Sequence, residues 1–198
     1  MIDFSLYTFH PVIALPSDCE VFDFTKGYDP DRPLSSPYGI GRYDEDRRGM
    51  YTSALFEDPS GHRTIHMGID LAAPVNTAIR SFYAGEVFLF GYNGAPGDYG
   101  YTLITRHEFG GEPLFALYGH LSEGSVAAKQ KGQKIASGET IAWVGDRHEN
   151  GGWNPHLHFQ LSLVEPERCD LPGAVSQSQR NEALQIYPDP RLVLGPLY

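Results

Sequence analysis

His66-Met67-Gly68-Ile69-Asp70-Leu71 alternates between two kinds of residue, with Met67, Ile69 and Leu71 on one side and His66, Gly68 and Asp70 on the other. Successive side chains of a strand point to opposite faces, so this period of two predicts a strand with one apolar face and one face free for chemistry. From about residue 62 the same grammar recurs. Segments 77–84, 86–92, 100–107 and 114–120 read as strands, and Glu108-Phe-Gly-Gly-Glu-Pro113 reads as a hairpin turn between the last two. Between Lys131 and Gly145, glycines at 132, 138 and 145 punctuate Ile135, Ile141 and Val144, as expected of short strands broken by sharp turns. A final strand runs from His156 to Val164, just after Pro155. The expectation is an all-β fold, an antiparallel β-sandwich of roughly 8–12 short strands.

The flanks differ from this centre. Residues 1–60 are rich in Pro, Asp, Tyr and Arg, as in Tyr28-Asp-Pro-Asp-Arg-Pro33, with no sustained period. They read as an N-terminal arm packed on a domain spanning 61–166. Residues 167–198 read as a polar C-terminal extension with one helical turn near Arg180–Ile186, ended by Pro188 and Pro190.

With 198 residues the chain can bury a full apolar core, and its 22 Gly, 15 Pro and 12 Tyr suit strands and turns better than a helical bundle. The net charge of −10, without a dense Lys/Arg run, argues against nucleic acid as a partner. Cys19 and Cys169 form no CxxC pair and read as ordinary thiols. No stretch approaches 18 apolar residues, so no membrane span is expected. The first residues carry Asp3, lack a basic region and break at His10-Pro11, unlike a secretory signal, which leads to the expectation of a cytoplasmic protein.

Among the eight histidines, His156-Leu157-His158-Phe159 is the most informative group. On a strand it turns both imidazoles to one face and Leu157 and Phe159 to the core. Alone, an HxH pair is weak, and His66 with Asp70 is weaker still. Together, two His and one Asp make an N₂O set with an open position for water, the ligand count of a catalytic zinc site. His107-Glu108 imitates the start of HExxH, but Gly111 stands where the second His belongs and Gly110-Gly111 exclude the helix.

In this order, His66-Met-Gly-Ile-Asp70, Tyr118-Gly-His120-Leu and His156-Leu-His158-Phe resemble the three signature segments of the lysostaphin-type (LytM-like) zinc metallopeptidases, over roughly residues 62–164. The resemblance implies that His66, Asp70 and His158 bind zinc and that His120 and His156 act in catalysis, on the peptide bonds of short or cell-wall-derived peptides. Relatives approach the HxH segment through small residues, whereas this chain has Gly145-Asp-Arg-His-Glu-Asn-Gly-Gly-Trp-Asn-Pro155. That stretch would line the cleft, making His148 and Asn154 candidates for substrate contact. The alternative is a non-catalytic module that binds a peptide or partner in the same cleft, which metal content and an amide-hydrolysis assay would distinguish.

Overall fold

The computed structural model describes residues 2–32 and 35–198, leaving Met1 and, within the arm, Pro33 and Leu34 outside the description. The described residues contain twelve strands: β1 (Glu20–Val21), β2 (Gly39–Gly41), β3 (Arg63–His66), β4 (Ile69–Ala72), β5 (Ala78–Arg80), β6 (Gly85–Asn93), β7 (Gly100–Phe109), β8 (Glu112–Leu121), β9 (Lys134–Ile135), β10 (Thr140–Trp143), β11 (His156–Ser162) and β12 (Ala174–Ser176). Two short helices follow, α1 (Arg180–Ile186) and α2 (Arg191–Leu194). None is long and apolar enough to cross a membrane.

Eight strands form one sheet in the order β1-β2-β4-β11-β8-β7-β6-β9, antiparallel throughout except for β1 and β2. Two antiparallel pairs, β5–β10 and β3–β12, stand apart from it. The protein is all-β, as expected. Ile69, Leu71, Leu157, Phe159 and Leu161 point from β4 and β11 into the main core, where they meet Ile79, Ile141 and Ala142 of the β5–β10 pair. Alternation then sends Asp70, His156 and His158 to the opposite face of the central strands.

Three expectations change in detail. The segment 66–71 is not one strand: β3 ends at His66 and β4 begins at Ile69. The break lies at Gly68, where an added Cβ would stand 2.5 Å from His158 Cε1 and 2.9 Å from the Phe159 carbonyl oxygen. The chain can pass over the His158 ring only without a side chain there, and in passing it changes partner from β12 to β2 and β11. The expected strand 77–84 is reduced to β5. The last strand stops at Ser162, whose hydroxyl donates to the Val164 carbonyl (2.7 Å) and accepts from the Val164 amide (3.2 Å), closing a turn.

The flanks are woven into this frame. Strand β2 of the arm pairs with β4, setting Gly41 opposite Asp70. Arm residues 44–47 run beside β3: the Asp44 amide donates to His66 O, His66 N to Glu45 O, and Arg47 N to Thr64 O, at 2.8 to 3.0 Å. From the other flank, β12 sets Ala174 opposite His66. Phe4, Tyr7 and Phe9 pack around Phe109 beneath the sheet.

Candidate metal centre

In the antiparallel ladder of β4 and β11, Asp70 lies opposite His158, so their side chains are neighbours on one face. His66 reaches the same point from the end of β3. His66 Nε2 and His158 Nδ1 are 3.0 Å apart, and each lies close to Asp70 Oδ1, at 3.2 and 3.1 Å. All three residues are buried, and they form a group able to hold a metal ion.

The protonation pattern decides what such a triangle can do. His66 Nδ1–H donates to the Arg42 carbonyl (2.8 Å), leaving a lone pair on Nε2. His158 Nε2–H donates to Gln160 Oε1 (3.0 Å), leaving a lone pair on Nδ1. Gln160 is itself reached by the Tyr99 hydroxyl, which also donates to the Leu171 carbonyl at 3.1 Å. With His66 and His158 in these tautomers, three acceptor atoms face one another, an arrangement a cation resolves. Ligand atoms around a tetrahedral zinc with bonds of about 2.0–2.1 Å sit about 3.3 Å apart. The observed edges fall near that figure, and fixing the tautomers through outer partners is how metal-binding histidines are oriented.

Electrostatics keep His66 and Asp70 in their ligating forms. Burial, reinforced by the Arg47 guanidinium, pushes His66 down to about 4. Burial alone would raise the Asp70 carboxyl, but His66 and Arg47 beside it hold it well below the usual carboxylate range. Asp70 Oδ2 accepts from Arg47 Nη1 at 2.5 Å. Metal ligands need neutral imidazole and ionised carboxylate, and both are favoured here near neutral pH.

His120 and His156 stack beside this group, their ring centroids 4.2 Å apart and their planes tilted by 39°. Each gives its Nδ1–H to a backbone carbonyl of the 146–155 loop, His120 to Asn150 (2.8 Å) and His156 to Asn154 (2.6 Å). Each thus keeps Nε2 as an acceptor, and His156 Nε2 lies 3.8 Å from Asp70 Oδ1. His120 has φ of +62°, rare for a residue with a side chain, and backbone strain of this kind concentrates at functional sites. Burial lowers both imidazoles, and for His120 the neighbouring His156 and His158 lower it further.

A cleft of about 800 Å³ opens from His120, His156, His158 and Asp70 toward Tyr51, Phe56, Trp153 and the segment 165–175. A smaller recess of about 130 Å³ lies on the arm side of Asp70 and His156, walled by Phe22, Phe24, Tyr28 and Trp153. Trp153 packs edge-on against both Tyr28 and Tyr51, so loop and arm build the wall jointly.

The remaining sequence candidates lie elsewhere. His148 is exposed at the outer side of its loop, 3.3 Å from Asp146, and lines neither cavity. The Asn154 side chain faces the arm recess, donating to the Pro30 carbonyl (3.1 Å) and accepting from Arg147, while its own carbonyl orients His156. His107 lies on β7, buried and bonded to Thr105 Oγ1 at 2.7 Å, without part in the cleft. Sequence reasoning missed Arg47, Tyr99, Asn150 and Gln160. Gln160 alone carried a signal, as the next residue on the His156–His158 face.

Residues 64–169 match Peptidase family M23. This chain is 32% identical over 134 residues to the DD-carboxypeptidase/endopeptidase Mpg of Neisseria meningitidis serogroup B, covering 61% of this chain and 28% of that protein. It is 29% identical over 127 residues to the peptidoglycan DD-endopeptidase ShyB of Vibrio cholerae, covering 62% and 27%. It thus spans little more than a quarter of the length of these curated relatives. Among solved structures, the catalytic domain of lysostaphin from Staphylococcus simulans is 20% identical with a TM-score of 0.48, covering 74% of this chain and 92% of that one. The chain belongs to peptidase family M23.

Proposed function

We propose that the chain is a zinc-dependent hydrolase of peptide bonds, with zinc held by His66, Asp70 and His158 and with His120 and His156 carrying protons. The observation that supports this most is the meeting of one ligand atom each from His66, Asp70 and His158 beside two further imidazoles that share one cleft. Zinc held by these three residues would supply Lewis acidity toward the scissile carbonyl and a water acidified towards a pKa of about 7. The chain supplies the rest. The sequence has no HExxH motif to supply a catalytic Glu, and proton transfer is assigned to the Nε2 atoms of His120 and His156. One accepts the proton of the attacking water; the other, once protonated, stabilises the developing oxyanion or donates to the leaving amine. The loop carbonyls of Asn150 and Asn154 hold both rings to those tasks.

The substrates proposed are short peptides, including cell-wall-derived ones, since the Vibrio cholerae relative is named as a peptidoglycan DD-endopeptidase. Trp153, Tyr28 and Tyr51 narrow the approach and favour a short chain over a polymer. The test is zinc stoichiometry together with hydrolysis of cross-linked wall peptides and of intact wall, with chelation and zinc re-addition. One zinc per chain and reversible loss of peptide cleavage are expected. A metal-loaded protein that cleaves no amide would leave only a binding module.

A further inference from the structure

We infer that Arg47, carried by the N-terminal arm, is a positioning residue of the metal centre, restricting Asp70 to one ligating oxygen and steadying His66 through the Arg42 carbonyl. The inference rests on the zinc reading above.

Arg47 is the largest fully buried side chain of the protein, at 0% exposure. Arginine is almost never fully buried unless its charge and donors are met. Here Nε donates to Glu45 Oε2 (2.9 Å), Nη1 to Asp70 Oδ2 (2.5 Å) and Tyr51 Oη (3.1 Å), and Nη2 to the Arg42 carbonyl (3.2 Å). The guanidinium lies 4.8 Å from the centre of the Phe24 ring. Every one of these partners except Asp70 belongs to the arm.

Two contacts point to the centre. The Asp70 carboxylate is divided, with Oδ1 facing His66 and His158 and Oδ2 occupied by Arg47. A free carboxylate can turn both oxygens to a metal, filling the position a catalytic zinc leaves to water. With Oδ2 engaged, only Oδ1 is offered. The second contact is shared: the Arg42 carbonyl accepts from both Arg47 Nη2 and His66 Nδ1, so the guanidinium steadies the acceptor that fixes the His66 tautomer. Strand β2 seals the arrangement, since a Cβ on Gly41 would stand 2.8 Å from Arg47 Nη2 and 2.9 Å from Asp70 Oδ2. Charge is consistent as well. One guanidinium faces two carboxylates, Glu45 and Asp70, leaving one buried negative charge for a divalent cation to meet.

The test compares zinc affinity, by competition with a chromogenic chelator, in wild type, Arg47→Lys and Arg47→Met. Folding of each metal-free variant is checked by circular dichroism and a cooperative melt. Outer partners of metal ligands typically contribute 10–100-fold in affinity, and a loss of that size is expected in both folded variants. The cobalt-substituted Lys variant should also show altered visible bands as the second Asp70 oxygen becomes available. A guanidinium that merely ties down the arm predicts lower melting temperatures with unchanged zinc affinity, and affinity within twofold of wild type in either folded variant overturns the inference. A zinc-loaded wild-type structure decides the matter independently of how the variants fold: Asp70 bound through Oδ1 with Arg47 on Oδ2 supports it, and Asp70 bound through both oxygens overturns it. Failure of wild type to bind zinc removes the metal reading itself, a different result from wild type and variants binding equally.

Discussion

Gly68→Ala adds one methyl group at the point where the chain crosses a proposed metal ligand, so its effect can be worked from the geometry. The new Cβ would stand 2.5 Å from His158 Cε1, 2.6 Å from Nε2 and 2.9 Å from the Phe159 carbonyl oxygen. Ordinary carbon contacts lie near 3.5 Å, so the ring must retreat by about 1 Å or the backbone must part. Retreat is blocked, because His158 Nε2 is bonded to Gln160 and the ring packs against Tyr99 at 5.0 Å between centroids. Overpacking of this kind costs about 1–3 kcal/mol. In a protein of this length each kcal/mol moves the melting temperature by about 2–4 °C, giving a fall of about 2–12 °C. Metal sites tolerate only about 0.2 Å in ligand position, so zinc affinity should fall at least tenfold. Gly124 provides the control, because an added Cβ there meets nothing within 4 Å and its φ is not positive. Gly124→Ala should be neutral or stabilising by up to about 1 kcal/mol. Differential scanning calorimetry and chelator competition on both variants make the measurement. If Gly68→Ala melts and binds zinc like Gly124→Ala, the crossing does not constrain His158 and the geometric reasoning fails.

His120→Ala and His156→Ala should each retain about one zinc and lose about 10²–10⁴-fold in peptide cleavage, whereas His158→Ala should lose both; full turnover in His120→Ala refutes the proton-transfer role. Burial holds His66 and His107 at about 4, against 6.5 unperturbed, so the unfolded chain binds more protons between those values. Stability of the metal-free protein should therefore be complete above pH 6.5 and fall as the pH drops towards about 4. His107 alone contributes about 3 kcal/mol of the loss. Urea unfolding across this window tests it, and a flat profile contradicts it. Chelation should abolish cleavage and lower the melting temperature, since zinc at a thousandfold excess over Kd stabilises by about 4 kcal/mol. The metal-free chain should still melt cooperatively with a β-type circular dichroism spectrum, and an unfolded chain would make the site structural.

The segments that carry the centre were legible where one strand suffices to write the pattern. His156-Leu-His158-Phe declares both faces by local alternation, and β11 presents its residues as that pattern requires. His66-Met-Gly-Ile-Asp70 declares the same faces, yet its break was hidden, because the reason for Gly68 is the His158 ring, contributed by a strand 90 residues later. His148 was read as a cleft residue on the strength of its neighbours in sequence, but loop direction is set by tertiary contacts. The loop turns Asn150 and Trp153 inward and leaves His148 in solvent. Asp44-Glu-Asp-Arg-Arg48 was opaque for a different reason. A run of five charges looks uniformly solvated, although its backbone follows β3 and buries alternate members, Glu45 and Arg47, while Asp46 and Arg48 pair outside. Hydrophobic periodicity cannot reveal an alternation in which both faces are charged.

That charged stretch changes how the parts of the chain relate. Composition divides residues 1–60 and 167–198 from a central domain, and the family match falls within 64–169. Hydrogen bonding divides the chain differently. Strand β4, with Asp70, is flanked by β2 of the arm, and β3, with His66, is flanked by arm residues 44–47 on one side and β12 on the other. The outer partner of His66 is an arm carbonyl, and the outer partner of Asp70 is an arm guanidinium. Of the three proposed ligands, only His158 is oriented from the 61–166 segment, through Gln160, and even there the Tyr99 hydroxyl is anchored on Leu171 of the C-terminal extension. Orientation of ligands by outer partners decides both affinity and geometry of a metal site. On the proposed zinc reading, the flanks therefore enter the chemistry as the source of contacts that orient His66 and Asp70, as well as forming walls of the cleft.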